Sequence, residues 1–156
     1  MNDITLHCAK RSDLWYVTVW DRKGERELEC SDAIDTWILR FGETEQASTV
    51  DELKKFGIAA SSENTFSTMI KFIDDDSNEL SNAVQALNKV KEFVLKIHHV
   101  DGAASVTATR TLRGCSVARI VHGGLCSDQS DPVYQEIELR YRSMVIDNEL
   151  VDESQE

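Results

Sequence analysis

The chain has 156 residues, 41% of them apolar and 29% charged, and this composition predicts a folded domain with a sizeable core rather than a disordered segment. A net charge of −11 argues against a general nucleic-acid binder, because such proteins carry basic patches that neutralise phosphates. No apolar run approaches the roughly 20 residues of a membrane span, and the first residues do not resemble a signal peptide, so we expect a protein made in the cytosol.

The first thirty residues predict three strands. Residues 4–9 and 14–20 are predicted strands, and the second is rich in the aromatic and β-branched residues that suit a half-buried pleated surface. The sequence DRKG at residues 21–24 predicts a turn in which Gly24 takes a positive φ. Residues 25–30 are predicted to form a third strand, paired with the second as a hairpin.

The next segment admits two interpretations. Its apolar residues recur at helical spacing: Ile34, Trp37, Ile38 and Phe41. Ser31 or Asp32 can cap such a helix and Gly42 can close it, so a short helix is the favoured prediction. The sequence TWILRF, residues 36–41, would suit a strand equally well.

The middle of the chain mixes helix and strand signals. Residues 49–52 match a capping box and predict a short helix, or a loop with one helical turn. Residues 65–73 alternate and predict a strand with both faces partly covered. Ser77 can cap the helix that follows, which should break near residues 88–91. The predicted buried stripe of this helix is Leu80, Ala83, Val84 and Leu87.

Extended segments dominate the C-terminal half. The predicted strands are residues 92–100, 105–113 and 115–121, with a turn at residues 101–102 and a break at Gly114. A loop rich in Gly, Ser and Asp is predicted at residues 122–132. These segments together predict an α+β domain that is mainly β, with one or two helices.

The most regular segment is VYQEIELRYRSMVI, residues 133–146. One side of it is largely apolar and the other largely charged, and this period of two predicts a β-strand. The predicted apolar side holds Val133, Ile137, Leu139, Tyr141 and Val145. Because strands usually run about five or six residues, one this long is expected to outrun the core or cross between two sheets. We assign residues 1–146 to one domain and residues 147–156 to a partly mobile acidic tail.

No catalytic or metal-binding signature is evident. The spacing of Cys115, His122 and Cys126 does not match the closely paired ligands of a zinc site. A thiol nucleophile at Cys115 or Cys126 with His122 as its base is conceivable, but structural cysteines are the favoured interpretation. Adjacent His98 and His99 would point to opposite sides of a strand. We therefore expect no enzyme, no metal and no cofactor.

The cysteines are predicted to be free thiols that pack as small hydrophobic residues, because a cytosol is reducing. They are Cys8, Cys30, Cys115 and Cys126. Their even number also permits disulfides, and cross-links between copies in an assembly are the alternative.

Basic residues are concentrated late in the chain. They are Arg110, Arg113, Arg119, Arg140 and Arg142. In so acidic a protein we expect them to meet carboxylates such as Glu136 and Glu138, across neighbouring strands or across a subunit boundary.

The order of these elements resembles the tail-tube protein family of contractile bacteriophages, which is related to the tube protein of type VI secretion, often called hemolysin-coregulated protein. The most specific match is QEIELRYRSMVID, residues 135–147, since type VI tube proteins end in a similar strand. The strand at residues 66–73, the helix at 78–88 and the strands within 107–121 also lie where such a subunit would place them.

The resemblance implies a structural virion protein with an antiparallel β-sandwich or rolled-barrel fold. Such subunits close six to a ring, and the rings stack into a tube through which DNA passes without specific binding. It also implies further copies, the tail sheath and other tail proteins as partners, no membrane, and a location in the virion tail. The implied subunit-boundary or lumen residues are Glu136, Glu138, Arg140, Arg142, Arg110 and Arg113.

A second hypothesis explains the acidity differently. A small acidic binding or inhibitor protein of the immunity type would mask a basic partner, and the complex would weaken as salt rises. This protein would be a monomer or a dimer, whereas a tube subunit forms large oligomers.

Overall fold

A computed structural model describes residues 11–46, 65–128 and 130–148. The elements in chain order are β1 (Trp15–Trp20), α1 (Ser31–Trp37), β2 (Ile38–Phe41), β3 (Phe66–Ile73), α2 (Glu79–Asn88), β4 (Phe93–Val100), β5 (Val106–His122), β6 (Tyr134–Tyr141) and β7 (Ser143–Asn148). The predicted strand at residues 4–9 and the predicted helix at 49–52 lie outside the described residues. None of the helices within these ranges is long and apolar enough to cross a membrane.

The predicted hairpin at the start is half right. β1 forms as predicted, and Gly24 in the following turn has a φ of +74°. Residues 25–30 are not a strand: they contribute one isolated bridge between Trp20 and Glu27, and the Leu28 N–H donates to the Val19 carbonyl at 2.9 Å. The reason is that Leu28 is the only apolar residue of this stretch before Cys30, so a strand here would have no face to bury.

Both interpretations of the segment after residue 30 hold in part. The helix α1 ends at Trp37, and the chain continues directly into the strand β2. Gly42 does not close the helix, because it lies beyond β2. A Cβ atom there would come within 2.7 Å of the Thr68 Oγ1, so the glycine allows the chain to pass close to β3.

The helix α2 follows the sequence pattern closely. Its predicted stripe is buried and it ends at Asn88, as expected. The predicted Ser77 cap is wrong, since Asp75 accepts the N–H groups of Glu79 at 3.0 Å and Leu80 at 2.8 Å. Desolvation would raise the pKa of Asp75, but these bonds and one from the Ser77 hydroxyl outweigh it and lower the pKa to about 2.

The 17-residue strand β5 organises the sheet. The two strands predicted on either side of Gly114 are one continuous strand, in which Gly114 has a φ of +68°. Residues 106–115 pair with β4, and β7 pairs with residues 108–113 on the other edge. Residues 116–122 pair instead with β6. We call the group β1, β4, β7 and the first part of β5 the first layer, and β2, β3, β6 and the rest of β5 the second layer.

The predicted long strand does cross between layers, but it is broken at Arg142 into β6 and β7. In β6 the predicted apolar side is buried. Beyond Arg142 the sides exchange, so that Met144 is buried and Val145 is 46% exposed. The predicted placement of Val145 on the core side is therefore wrong, since one irregular residue reverses a period of two. β7 also continues through Asp147 to Asn148, the first two residues assigned to the acidic tail.

The core lies between the two layers, and α1 and α2 complete it. The first layer contributes Val17, Val19, Leu95, Ile97, Leu112 and Met144. The second layer contributes Ile70, Phe72, Ile137, Leu139 and Tyr141, and the helices contribute Ile34, Leu80, Val84 and Leu87. Since these side chains form one contiguous cluster, the described residues form a single packed unit.

Candidate assembly surfaces

The free edge of β1 is closed by the helix α1. The Val17 N–H donates to the Asp35 Oδ1 at 2.9 Å, and the Val19 N–H donates to the Ser31 Oγ at 2.9 Å. Ser31 in turn donates to the Glu27 Oε2 at 2.7 Å, which fixes its hydroxyl. These side chains replace a neighbouring strand, so this edge is unavailable for pairing with another chain.

The free edge of β7 differs. No strand among the described residues pairs with it, and the Gln46 Nε2 donates to the Met144 carbonyl on this edge at 2.9 Å. Because successive strand residues direct their backbone groups to alternate edges, Ile146 and Asn148 present theirs on the same edge as Met144. Val145 and Ile146 are 46% and 41% exposed. Within the described ranges this edge is partly apolar and unpaired by any strand, which suits pairing with a second chain.

The outward face of the second layer carries both predicted glutamates. Glu138 lies opposite Arg119 across β5 and β6, and the Arg119 Nε is 3.2 Å from the Glu138 Oε1. Glu136 lies opposite Lys71 of β3, whose Nζ is 4.3 Å from the Tyr134 ring centroid. The expected meeting of arginine and glutamate across strands is therefore present at Glu138. Because Arg40 and Arg140 lie on the same face, its charge is mixed rather than negative.

Arg110 and Arg113 are not brought to this face. Arg110 is half-buried, and its Nη1 donates to the Thr44 Oγ1 at 2.9 Å. Arg113 lies opposite Ser143 at the end of the β5–β7 pairing in the first layer, with its Nη1 close to Gly24. Arg110 thus holds the segment after β2, and the structure separates these two arginines from Glu136 and Glu138.

Arg140 and Arg142 lie in a cleft at the point where β5 passes between the layers. The cleft measures about 510 Å³ and is lined by Thr65, Lys91, Glu92, Gly114, Ser116, Arg140 and Arg142. Arg142 is 4.0 Å from the Glu92 Oε1, and a Cβ atom at Gly114 would come within 2.9 Å of the Arg142 Cγ. The glycine thus leaves room for the arginine stem. Sequence reasoning missed Lys91, because only the topology brings it beside the two arginines.

The described cysteines are all free thiols: Cys30, Cys115 and Cys126. Burial raises the pKa of Cys115 to about 12, so this thiol is a poor nucleophile, and its Sγ donates to the Leu112 carbonyl at 3.2 Å. Burial also raises the pKa of Cys30. Cys126 is exposed, and its Sγ is 2.6 Å from the Asp128 Oδ1. Cys8 lies outside the described residues.

The part of the chain that the structure describes contains no group of three or more His, Cys, Asp or Glu side chains that could hold a metal ion. His98 lies between two threonine hydroxyls, with its Nε2 2.9 Å from the Thr18 Oγ1 and its Nδ1 3.2 Å from the Thr109 Oγ1. Its ring stacks on Tyr16 at 4.5 Å. His98 is thus an ordered part of the outward face of the first layer.

Comparison by sequence gives no relative: no protein-family model matches the chain, and no curated protein matches it. Comparison by structure gives several. A chain of the anti-feeding prophage baseplate aligns with a TM-score of 0.57 and 13% identity, over 91% of this chain and 97% of its own length. A chain of the sheath-tube complex of the extracellular contractile injection system PVC aligns at 0.56 and 11%, over 94% and 96%. A chain of the PVC sheath/tube terminator aligns at 0.59 and 10%, over 91% and 99%.

The chain has the fold of a contractile-system tube subunit. The predicted α+β class, mainly β with two described helices, is confirmed, and so is the predicted resemblance at the level of the fold. The tube-subunit fold spans almost the whole chain. The elements β1, α1 and β2 therefore belong to the shared fold as well.

Proposed function

We propose that this protein is a structural subunit of a contractile-type tail tube, in which copies close into hexameric rings and the rings stack. The observation that carries the proposal is the tube-subunit fold over 94% of the chain, matched to a chain of a sheath-tube complex. The proposed partners are further copies of the chain, a surrounding sheath and other tail proteins. The proposed location is the tail of the particle, and the protein performs no enzymatic turnover.

The unequal sheet edges support ring formation. A ring needs two different surfaces on each subunit, and an edge that paired with its own copy would give a twofold dimer instead. In this chain α1 closes the β1 edge, whereas the β7 edge offers the backbone groups of Ile146 and Asn148. We propose that β7 contributes to the contact between neighbouring subunits.

We propose that DNA passes through the tube without specific binding. The mixed charge on the outward face of the second layer supports this, because glutamates interrupt its basic side chains. A continuous basic groove would instead retain phosphates. Glu136 and Glu138 remain our candidates for a lumen or subunit-boundary position.

The first test is a substitution in the open edge of β7. Ile146→Pro removes the N–H that points away from β5, so we expect folded protein that no longer forms rings. Ile146→Thr is the matched control, because it keeps the N–H and the β propensity, and it should form rings as the wild type does. Light scattering gives the mass, circular dichroism the folding, and electron microscopy the rings.

Two outcomes would count against the proposal. A wild-type protein that stays monomeric at every concentration and forms no rings with other tail proteins would contradict the tube function. Rings of unchanged number in Ile146→Pro would instead contradict the role of β7 and leave the tube function standing.

A further inference from the structure

The cleft between the layers concentrates positive charge in a protein of net charge −11. Lys91, Arg140 and Arg142 line it, and Glu92 is its single carboxylate. Glu92 is 4.0 Å from Arg142, whereas no ion pair involves Lys91 or Arg140 among the described residues. Thr65 and Ser116 add hydroxyl groups. A cleft with two uncompensated cations and nearby hydroxyl donors suits a carboxylate-bearing partner.

The opposite end of the second layer is acidic. Asp76, Asp128 and Asp131 are exposed there, and in the described ranges none of them forms an ion pair with a basic side chain. The bond from the Asp74 N–H to the Val133 carbonyl, 2.8 Å, holds the end of β3 against the loop before β6. Asp74 and Asp75 are already engaged, by Gln135 and by the start of α2.

The two charged ends are separated by the length of β6. Thr65 and Arg140 lie at one end of the β3–β6 pair, and Ile73 and Tyr134 lie at the other. The eight residues of β6 are separated by seven steps of about 3.3 Å, which place these ends roughly 23 Å apart. A surface and its complement at opposite ends of one subunit suit a head-to-tail contact, which repeats along a stack when the two ends face in opposite directions.

We propose that the basic cleft, defined by Lys91, Arg140 and Arg142, binds the acidic end of a second copy, defined by Asp76, Asp128 and Asp131. This inference rests on the proposed tube function and names the surfaces that join one ring to the next. The contact differs from the one that closes a ring, which we assign to the β7 edge. The polarity of the subunit then sets the polarity of the stack.

Charge reversal tests the proposal. Lys91→Glu with Arg140→Glu makes the cleft acidic, and Asp76→Lys with Asp131→Lys makes the opposite end basic. Each double variant should form rings but lose stacking by roughly tenfold or more, because like charges then face each other. A mixture of the two should stack again, and so should the chain with all four substitutions, since each restores opposite charges.

The matched control for the cleft variant is Arg11→Glu with Arg22→Glu, which makes the same change in net charge on exposed residues outside the cleft. It should stack as the wild type does. Electron microscopy counts single and stacked rings. The stacked fraction of the wild type should decrease as salt is raised from about 0.05 M to about 0.5 M, because the screening length, about 10 Å at 0.1 M, shortens as salt rises.

The results separate the two ideas. Rings that stack equally well in all variants, or a mixture that fails to restore stacking, would overturn the proposed contact while the tube function stands. A wild-type protein without rings would overturn both. Loss of rings in the cleft variant alone would assign the cleft to ring closure, and loss of rings in the acidic-end variant alone would assign the acidic end to it; either result also overturns the proposal.

Discussion

The three described cysteines differ in burial, and burial determines how readily each thiol ionises. Cys115 is fully buried with a pKa of about 12, whereas Cys126 is exposed in the loop before β6. The thiolate is the reactive species, so these two residues should differ strongly in reactivity. An enzymatic role for Cys115 is disfavoured by the same burial.

We predict that a maleimide at pH 8 modifies the exposed Cys126 much faster than Cys115, because a pKa of about 12 lowers the thiolate fraction of Cys115 on the order of a thousandfold relative to an ordinary thiol. A Cys8→Ser background leaves three thiols, and mass spectrometry of peptides follows each one. In denaturant all three should react at similar rates. Fast modification of Cys115 in the folded protein would contradict the burial described above.

Among the elements, β5 depends on one residue for its passage between layers. Gly114 has a φ of +68°, which residues with a side chain rarely adopt. Because it has no Cβ atom, it also leaves room for Arg142. Two requirements, on conformation and on space, therefore coincide at one position.

We predict that Gly114→Ala lowers the free energy of unfolding by about 1–3 kcal/mol, the usual cost of a left-handed conformation in a residue other than glycine. Gly102→Ala is the control, because a Cβ atom there would meet nothing within 4 Å, and it should be nearly neutral. Urea unfolding monitored by circular dichroism measures both. Equal stability of the two variants would show that the strand tolerates a side chain at Gly114.

The elements that the sequence predicted well are those with one clear apolar face. The apolar stripe of α2 and the apolar side of β6, both predicted from spacing, are the sides that the structure buries. The sequence did not predict the exchange of sides after Arg142, because Met144, Val145 and Ile146 are all apolar and suit either side. Similarly, residues 25–30 alternate in type but have too little apolar surface to bury.

The candidate surfaces were predicted less completely. Arg140, Arg142, Glu136 and Glu138 were identified from their strand, and the structure places all of them on exposed or half-exposed positions. Lys91 lies in a polar break between α2 and β4, where nothing local indicates a site. Its place in the cleft follows from the pairing of β4 with β5. The periodicity of the sequence does not predict such a long-range contact.

At the scale of the whole molecule, the two layers share both β5 and one hydrophobic core. Neither layer can lose its pairing without freeing part of a strand that the other needs. The domain should therefore unfold as one cooperative unit.

We predict a single urea transition for the ring-free Ile146→Pro chain, with coincident midpoints from tryptophan fluorescence and far-ultraviolet circular dichroism. The comparison is informative because Trp15 and Trp20 lie in β1 and Trp37 in α1, so fluorescence reports mainly the first layer, whereas circular dichroism reports both. Two separate midpoints would mean that one layer persists alone.

The shared strand also has a mechanical consequence. A force along the chain axis of β5 is carried by the covalent backbone from one layer into the other, and it loads the ladders to β4, β6 and β7 together rather than one bond after another. Such a subunit would resist stretching as a whole until many bonds fail at once. An assembly of such subunits would therefore resist extension along β5.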